Sequence, residues 1–98
     1  DKAPRLDPTK LVGAHPNPFN PRTRIVFRLE RAASVELRIV DPRGRAVRTL
    51  LQGVRAGGEH AVRWDGTNDA GRDVASGVYL AVLRSGTVTE SRPLVLVR

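Results

Sequence analysis

The amino-acid sequence predicts an all-β domain in which two antiparallel sheets pack face to face. Apolar and polar residues alternate with a period of two in several short segments: Ile25, Phe27 and Leu29 share one face, while Arg24 and Arg28 share the other. Turn residues separate about seven such segments at intervals of roughly 8–12 residues, which is typical of a β-sandwich. No segment shows helical periodicity over a useful length, and 98 residues are enough for one domain with one core.

The domain is expected to span residues 11–98, after a polar linker or extended segment at residues 1–10 that carries two prolines. The chain begins with Asp1 rather than Met, so we expect a processed product or a piece of a longer protein. It has no cysteine and therefore no disulfide. No apolar run approaches the ~20 residues that span a bilayer, so membrane insertion is not expected.

Each strand has its own sequence signal. Residues 11–23 are expected to form an edge strand that breaks at its prolines, with Phe19 turned inward. The alternating runs 23–29, 34–41 and 59–65 predict strands with one wet face, and residues 41–44, "DPRG", have the residue order of a type I turn. Residues 45–51 predict a further strand.

The remaining segments predict a loop and two strands. Residues 53–58, "GVRAGG", suggest a flexible loop. The run 77–84 is apolar on both faces, so it should be the most buried strand, and "SG" at 85–86 should turn it into the last run. Pro93 interrupts that last run, which fits an edge strand.

The stretch from Trp64 to Tyr79, "WDGTNDAGRDVASGVY", raises the question of a metal site. Its spacing does not match a Ca²⁺-binding loop. Asp and Asn beside glycines also satisfy backbone N–H groups in turns, so we interpret Asp65, Asn68, Asp69 and Asp73 as turn residues of the surface. No metal site and no cofactor is therefore predicted.

No catalytic residues can be nominated. His15 and His60 lack partners at ligand-type spacing, and His60 shares a strand face with Val62 and Trp64, which predicts a partly buried packing residue. No serine occupies a strained, glycine-flanked turn. The prediction is that the chain is not an enzyme.

The chain is strongly basic, with a formal net charge of +7 at pH 7. Of its 17 Lys and Arg residues, 15 are Arg. Sandwich domains that bind nucleic acid usually interleave aromatic residues with the charge. All four aromatic residues are instead expected in the core or as anchors: Phe19, Phe27, Trp64 and Tyr79. The arginines are also mixed with glutamates, so we expect no specific nucleic-acid binding. They are expected to cover wet strand faces, although adhesion to acidic polymers stays open.

Four blocks in order resemble one family of domains. They are "PNPFNPRT" followed by "RIVFRL", then "VELRIVDPRGRAVRTL", then "AGGEHAVRWDG" with "DAGRDVASGVYLAVL", and finally "SRPLVLVR". From about Leu11 to Arg98 the chain resembles the immunoglobulin-like domain of the flagellar hook-capping protein and the carboxy-terminal sorting domains of type IX secretion cargo. The resemblance implies an immunoglobulin-like sandwich. The residues of its structural motif would be Pro16, Asn17, Pro18, Phe19, Gly44, Trp64, Asp65, Gly66, Gly71, Gly77 and Tyr79.

The resemblance also implies a function. The domain would follow a cargo in a precursor exported through the periplasm and outer membrane to the cell surface, and would act as the address that the secretion machinery reads. A sortase-like peptidase commonly removes such domains and joins the cargo to a surface lipopolysaccharide. The expected receptor contacts are Arg92, Leu94, Val95, Val97 and Arg98, and the last strand could offer backbone groups by edge pairing.

A second interpretation is a structural module of an extracellular stalk, filament or appendage. It would assemble with neighbouring subunits, or with copies of itself, through edge strands and the Pro-rich N-terminal segment. A third is an adhesion domain for carbohydrate or polyanions that uses the arginines and the acidic turn.

Overall fold

The computed structural model describes residues 8–98 and has seven strands in two antiparallel sheets. The strands are β1 (Lys10–His15), β2 (Thr23–Leu29), β3 (Ala33–Val40), β4 (Ala46–Arg55), β5 (Gly58–Trp64), β6 (Gly77–Ser85) and β7 (Val88–Leu96). The strand orders are β1-β2-β5 in the three-stranded sheet and β4-β3-β6-β7 in the four-stranded sheet. The predicted all-β sandwich is confirmed. Among the described residues, no helix is long and apolar enough to cross a membrane.

The core lies between the two sheets, where alternate residues of the strands point inward. In β2, Ile25, Phe27 and Leu29 are buried while Arg24 is exposed, as the period of two predicts. Three aromatic rings pack together within the core. Trp64 lies between Phe19 and Tyr79, with ring centroids 5.6 and 5.4 Å away, distances typical of favourable aromatic pairs.

Two polar atoms of this aromatic cluster donate hydrogen bonds to backbone oxygens. The Trp64 indole donates to the Thr67 carbonyl at 2.8 Å, and the Tyr79 hydroxyl donates to the Ala75 carbonyl at 2.6 Å. A buried donor without a partner would destabilise the fold. Both carbonyls belong to the segment between β5 and β6, so the core and this segment hold each other in place.

The turn predicted at residues 41–44 is present, and the turn predicted at 85–86 lies one residue later. Gly44 donates its N–H to the Asp41 carbonyl at 2.8 Å, which closes the turn between β3 and β4, and its φ of +85° favours glycine. Ser85 pairs with Val88, so Gly86 and Thr87 form the tight turn between β6 and β7.

The expectation of a flexible loop over residues 53–58 is wrong. β4 continues to Arg55, with Gly53 and Val54 paired to Val35 and Ser34 of β3, and only residues 56–57 remain between β4 and β5. Two register shifts in the β3–β4 pair insert extra residues into β4, as β-bulges do. They break the alternation along β4, so the sequence hid the length of this strand.

The expectation that β6 is the most buried strand is also wrong. Tyr79, Ala81 and Leu83 are buried, but Val78 on the other face is 49% exposed. β6 is an inner strand of its sheet, yet the described chain lays no element across the outer face of that sheet. The apolar residues on that face therefore reach solvent.

The predicted linker lies mostly outside the described residues. Residues 1–7 carry no structural description, and β1 begins at Lys10, one residue before the predicted boundary. β1 is an edge strand that ends before Pro16, and Phe19 is 2% exposed, as the sequence predicted for this segment.

We expect the substitution Phe19→Ala to lower the free energy of unfolding by about 3–5 kcal/mol, because it leaves a cavity beside Trp64. The matched control is Val12→Ala, at a position that is 37% exposed, where a change within about 1 kcal/mol is expected. Urea unfolding followed by Trp64 fluorescence measures both. Equal losses in the two variants would contradict the assignment of Phe19 to the core.

Candidate recognition site at the terminal strand

Three apolar residues expected to contact a receptor lie on the terminal strand β7 or just after it. Leu94 is 0% exposed because it faces the three-stranded sheet. Val95 points the other way and is half-buried, and Val97, just after the strand, is 48% exposed. A receptor can reach Val95 and Val97, whereas Leu94 is inaccessible while β7 stays in the sandwich.

The accessible residues of β7 continue onto β6. Val78 pairs with Val95, and Leu80 pairs with Pro93, so their side chains share the outer face of the four-stranded sheet. We call this surface the outer apolar face; it comprises Val78, Leu80, Pro93, Val95 and Val97. Its residues follow one another across two neighbouring strands, which distinguishes it from scattered surface valines.

The edge of β7 that does not pair with β6 is covered, beside Pro93 to Val97, by the chain's own segment Asn17–Phe19. Phe19 donates its N–H to the Val95 carbonyl at 2.9 Å and accepts from the Val97 N–H at 2.8 Å. The Asn17 side chain accepts from the Val95 N–H at 2.9 Å and donates to the Pro93 carbonyl at 3.0 Å. The expectation that β7 offers these groups to a receptor is therefore wrong for this fold, because the same chain already occupies them.

Pro93 lies where its missing N–H does no harm. Pro93 and Val95 direct their backbone groups away from β6 and toward Asn17–Phe19. Proline is tolerated at an edge position because no ladder hydrogen bond is lost there. The Asn17 side chain therefore donates to the Pro93 carbonyl, and it accepts from the N–H of Val95 because Pro93 has no N–H.

Side chains of β7 also join this strand to β1 of the other sheet. Glu90 accepts the Leu11 N–H at 2.7 Å, and Arg92 donates its Nε–H to the Leu11 carbonyl at 3.3 Å. Arg92, an expected receptor contact, thus has an internal role, although the residue remains exposed.

Arg98 is anchored to the segment between β5 and β6. Its backbone N–H donates to the Ser76 hydroxyl at 2.8 Å, its Nε–H donates to the Val74 carbonyl at 2.6 Å, and its Nη2 bonds the Gly66 carbonyl. The same nitrogen lies 3.6 Å from Asp73 Oδ1. Arg98, an expected receptor contact, therefore joins the residues after β7 to this segment.

Gly66 is required at this contact. Its φ of +76° disfavours other residues, and a Cβ atom there would lie 2.7 Å from the Arg98 guanidinium and 3.3 Å from the Pro21 carbonyl. Gly71 and Gly77 also have positive φ, at +79° and +155°.

The acidic turn covers the outer edge of β4. Asp69 accepts the Thr49 N–H through Oδ1 at 3.0 Å and donates its own N–H to the Val47 carbonyl at 3.0 Å. Asn68 Oδ1 accepts the N–H groups of residues 70 and 72, each at 3.0 Å. Within residues 8–98, no three His, Cys, Asp or Glu residues are grouped so that they could hold a metal ion.

Asp65 is held as a carboxylate by its neighbours. The Thr67 hydroxyl donates to its Oδ1 at 2.6 Å, and this hydrogen bond is the main cause that lowers the pKa of Asp65 below its usual value. The Arg48 guanidinium, 3.9 Å away, lowers the pKa further. Arg48 also bonds the Thr67 hydroxyl and donates to the Asn68 carbonyl at 3.3 Å, so it connects β4 to the turn.

His60 packs as the sequence predicted. Its ring stacks on Phe27 with centroids 5.1 Å apart and an interplanar angle of 20°, and its Nε2 lies 2.7 Å from the Ala56 carbonyl. His15 is exposed at the end of β1. It pairs with Arg24 of β2, whereas His60 pairs with Phe27, three residues further along that strand.

Sequence reasoning missed how the edges of the four-stranded sheet are covered. For the β7 edge, the available signal was Asn17 between two prolines. The prolines exclude this segment from a central strand, and the Asn17 side chain has both a donor and an acceptor that can bond a strand edge. No comparable signal marks Asp69, because its partner in β4 lies 20 residues away.

The fold and this site define an immunoglobulin-like β-sandwich module whose terminal strand is capped within the chain. Residues 17–87 match the FlgD Ig-like domain family, and the chain belongs to this family. The resemblance drawn from the sequence is thereby confirmed. A search of curated protein sequences found no match.

Three solved structures have the same fold. PorU of Porphyromonas gingivalis, solved as a latent dimer, has a TM-score of 0.70 at 22% identity over 94% of this chain. FlgD of P. aeruginosa has a TM-score of 0.59 at 20% identity over 76% of this chain. PorZ, described as an essential surface component of the type IX secretion system of P. gingivalis, has a TM-score of 0.57 at 25% identity over 87%. This chain spans 10%, 58% and 11% of those proteins, respectively.

We expect Asn17→Asp to lower the free energy of unfolding by about 1–3 kcal/mol, because a carboxylate cannot donate to the Pro93 carbonyl and would lie against it. Native-state hydrogen exchange should show faster exchange at the Val95 N–H than in the parent protein. The control is Asn20→Asp, at an exposed asparagine. If the Val95 N–H exchanged at the same rate in both variants, Asn17 would not cap the edge.

A second prediction concerns acid. Because the pKa of Asp65 is lowered in the folded protein, its contribution to stability is present above the unfolded value of about 3.9 and is lost as the pH falls through the folded value. Asp65→Asn should therefore flatten the decline of the melting temperature below about pH 4. Identical slopes in the variant and the parent protein would contradict this role.

Proposed function

We propose that this chain is the recognition module of a protein exported to the cell surface by the type IX route, and that the secretion machinery reads its outer apolar face. The observation that carries this proposal is the exposure of that face beside a terminal strand whose edge is already occupied. Membership of the FlgD Ig-like family and the likeness to PorZ, described as a component of that secretion system, support it.

In this proposal the five residues expected to contact a receptor have three roles. Val95 and Val97 contact the receptor together with Val78 of the neighbouring strand. Leu94 anchors β7 in the core, and Arg92 and Arg98 hold the strand in register through their bonds to backbone carbonyls. The receptor then binds a preformed surface and does not add a strand.

The division of the chain follows the same logic. Residues 1–10 would connect the sandwich to a cargo domain upstream, and the sandwich would fold by itself after export. A small domain without cysteine suits this order of events, because its folding does not depend on disulfide formation.

The test uses the full-length precursor in the bacterium that produces it. We expect Val78→Asp combined with Val97→Asp to lower the fraction displayed at the surface about tenfold, because carboxylates would have to be buried against an apolar receptor. The control is Val54→Asp combined with Val12→Asp. Val54 and Val12, on β4 and β1, are 70% and 37% exposed, so the control adds the same charge elsewhere.

Surface fraction is measured by protease accessibility of intact cells, and the melting temperature of each purified domain shows that it is folded. Normal display of a folded Val78/Val97 double variant would disprove recognition through this face. Deleting residues 91–98 is a poorer test, because it removes Leu94 and Leu96 from the core.

A structural module of a surface assembly is the second candidate, and one observation favours it. Within residues 8–98, the outer edge of β5 forms no backbone hydrogen bond to another element, so it could pair with a second copy. The segment Pro16–Pro21, however, lies along its own β7 and not along a neighbour. Sedimentation velocity over a concentration series separates the candidates: a monomer at the highest concentration would exclude self-assembly through β5.

A further inference from the structure

A row of basic side chains crosses the outer face of the three-stranded sheet. His15 of β1 pairs with Arg24 of β2, and Arg24 pairs with Arg63 of β5. All three residues are exposed. We call them the basic row. Residues directly opposite each other on one face of a sheet have Cβ atoms about 4.5–5.5 Å apart, and like charges there are destabilising.

The same sheet pairs opposite charges at its other end. Arg28 and Glu59 lie on the same two strands, four residues after Arg24 in β2 and four residues before Arg63 in β5. The Arg28 Nε lies 3.4 Å from a Glu59 carboxylate oxygen. No described acidic residue forms an ion pair with Arg24 or Arg63. The repulsion in the basic row is therefore not a general property of this sheet.

Two clefts adjoin the basic row, and both are lined by Arg22 and Arg63. One, of about 230 Å³, is lined by His15, Pro16, Arg22, Thr23, Arg24 and Arg63. The other, of about 220 Å³, is lined by Arg22, Arg48, Leu50, Arg63, Trp64 and Asp65. Each is smaller than the 300–1,000 Å³ typical of sites for drug-sized ligands, but each can accommodate a small anionic group.

The one carboxylate in these clefts is already engaged. Asp65 accepts from Thr67 and lies beside Arg48, so it does not neutralise Arg22, Arg24 or Arg63. Arg22 and Arg63 line both clefts, and Arg24 lines the one beside His15. Each of these guanidinium groups presents a planar fork of N–H donors.

We propose that the basic row and Arg22 form a binding site for a phosphate group. A phosphate has up to two negative charges and three strong acceptor oxygens, so one group can bond several guanidinium groups and relieve their repulsion. A single carboxylate has one charge and suits one arginine fork. The phosphate could be free or part of a lipid headgroup. The site is independent of the outer apolar face, which lies on the other sheet.

The test compares two double variants of equal charge. Arg24→Gln with Arg63→Gln removes the centre of the site, whereas Arg43→Gln with Arg72→Gln removes two exposed arginines in turns elsewhere. Inorganic phosphate is titrated at pH 7 against sodium chloride of matched ionic strength, and the arginine Nε–Hε signals are followed by NMR. We expect phosphate binding to weaken about tenfold or more in the Arg24/Arg63 variant and less than about twofold in the control.

Thermal melting adds a second readout. Phosphate should raise the melting temperature of the parent protein more than chloride does, and the Arg24/Arg63 variant should lose this increment. In low-salt chloride that variant should melt at the same temperature as the parent or higher, because the repulsion is gone. A lower melting temperature would contradict the premise.

Vesicles of phosphatidylcholine with and without phosphatidic acid identify the source of the phosphate. Binding of the parent protein, but not of the Arg24/Arg63 variant, to the phosphatidic acid vesicles would assign a lipid headgroup. Response to inorganic phosphate alone would assign a free ion. The proposal fails if phosphate acts no more strongly than chloride, or if the two double variants lose the response equally.

Discussion

The hydrogen bonds between Asn17–Phe19 and the edge of β7 are the constraint on which the rest of the structure depends. An open sheet edge presents unpaired N–H and C=O groups that invite another chain. Here two backbone bonds from Phe19 and two side-chain bonds from Asn17 close that edge. The same Phe19 places its ring against Trp64. One short segment therefore covers the β7 edge beside Pro93 to Val97 and completes the core, so displacing the segment would disrupt both.

At the opposite edge of that sheet, Asp69 covers the backbone groups of β4 at Val47 and Thr49. Asp69 bonds the backbone of β4 on both sides of Arg48, and Arg48 in turn bonds Thr67 and Asn68. Arg98 fixes the same segment from the other side. The sixteen residues from Trp64 to Tyr79 thus connect the sheets, cover β4 and hold the chain end. Asn68 and Asp69 accept backbone N–H groups. Asp65 accepts the Thr67 hydroxyl, and Asp73 lies 3.6 Å from the Arg98 guanidinium. These contacts explain the composition of the segment without a ligand.

The sequence predicted most of the fold because a period of two was visible wherever one strand face is wet. It placed Phe19, Trp64 and Tyr79 in the core and found the turn at Gly44. It failed where the pattern is broken by geometry: the bulges in β4 place Leu50 and Leu51 on the core side in succession, so the strand read as ending early. It also overestimated the burial of β6, since an apolar face does not reveal whether another element covers it. The pairing of Arg24 with Arg63 depends on register between strands 39 residues apart, which periodicity alone does not fix.

Covering part of each edge of the four-stranded sheet leaves a particular kind of surface for recognition. At residues 93–97 of the β7 edge and 47–49 of the β4 edge, a partner gains little from backbone pairing, so side chains on the faces become the main contacts. The two outer faces differ in chemistry: one is apolar around Val78 and Val97, and the other has like charges opposed at Arg24 and Arg63. Apolar area favours a protein partner, whereas clustered guanidinium groups favour a phosphate-bearing partner. Because the two faces lie on opposite sides of one thin sandwich, one domain could engage both partners at once without competition between them.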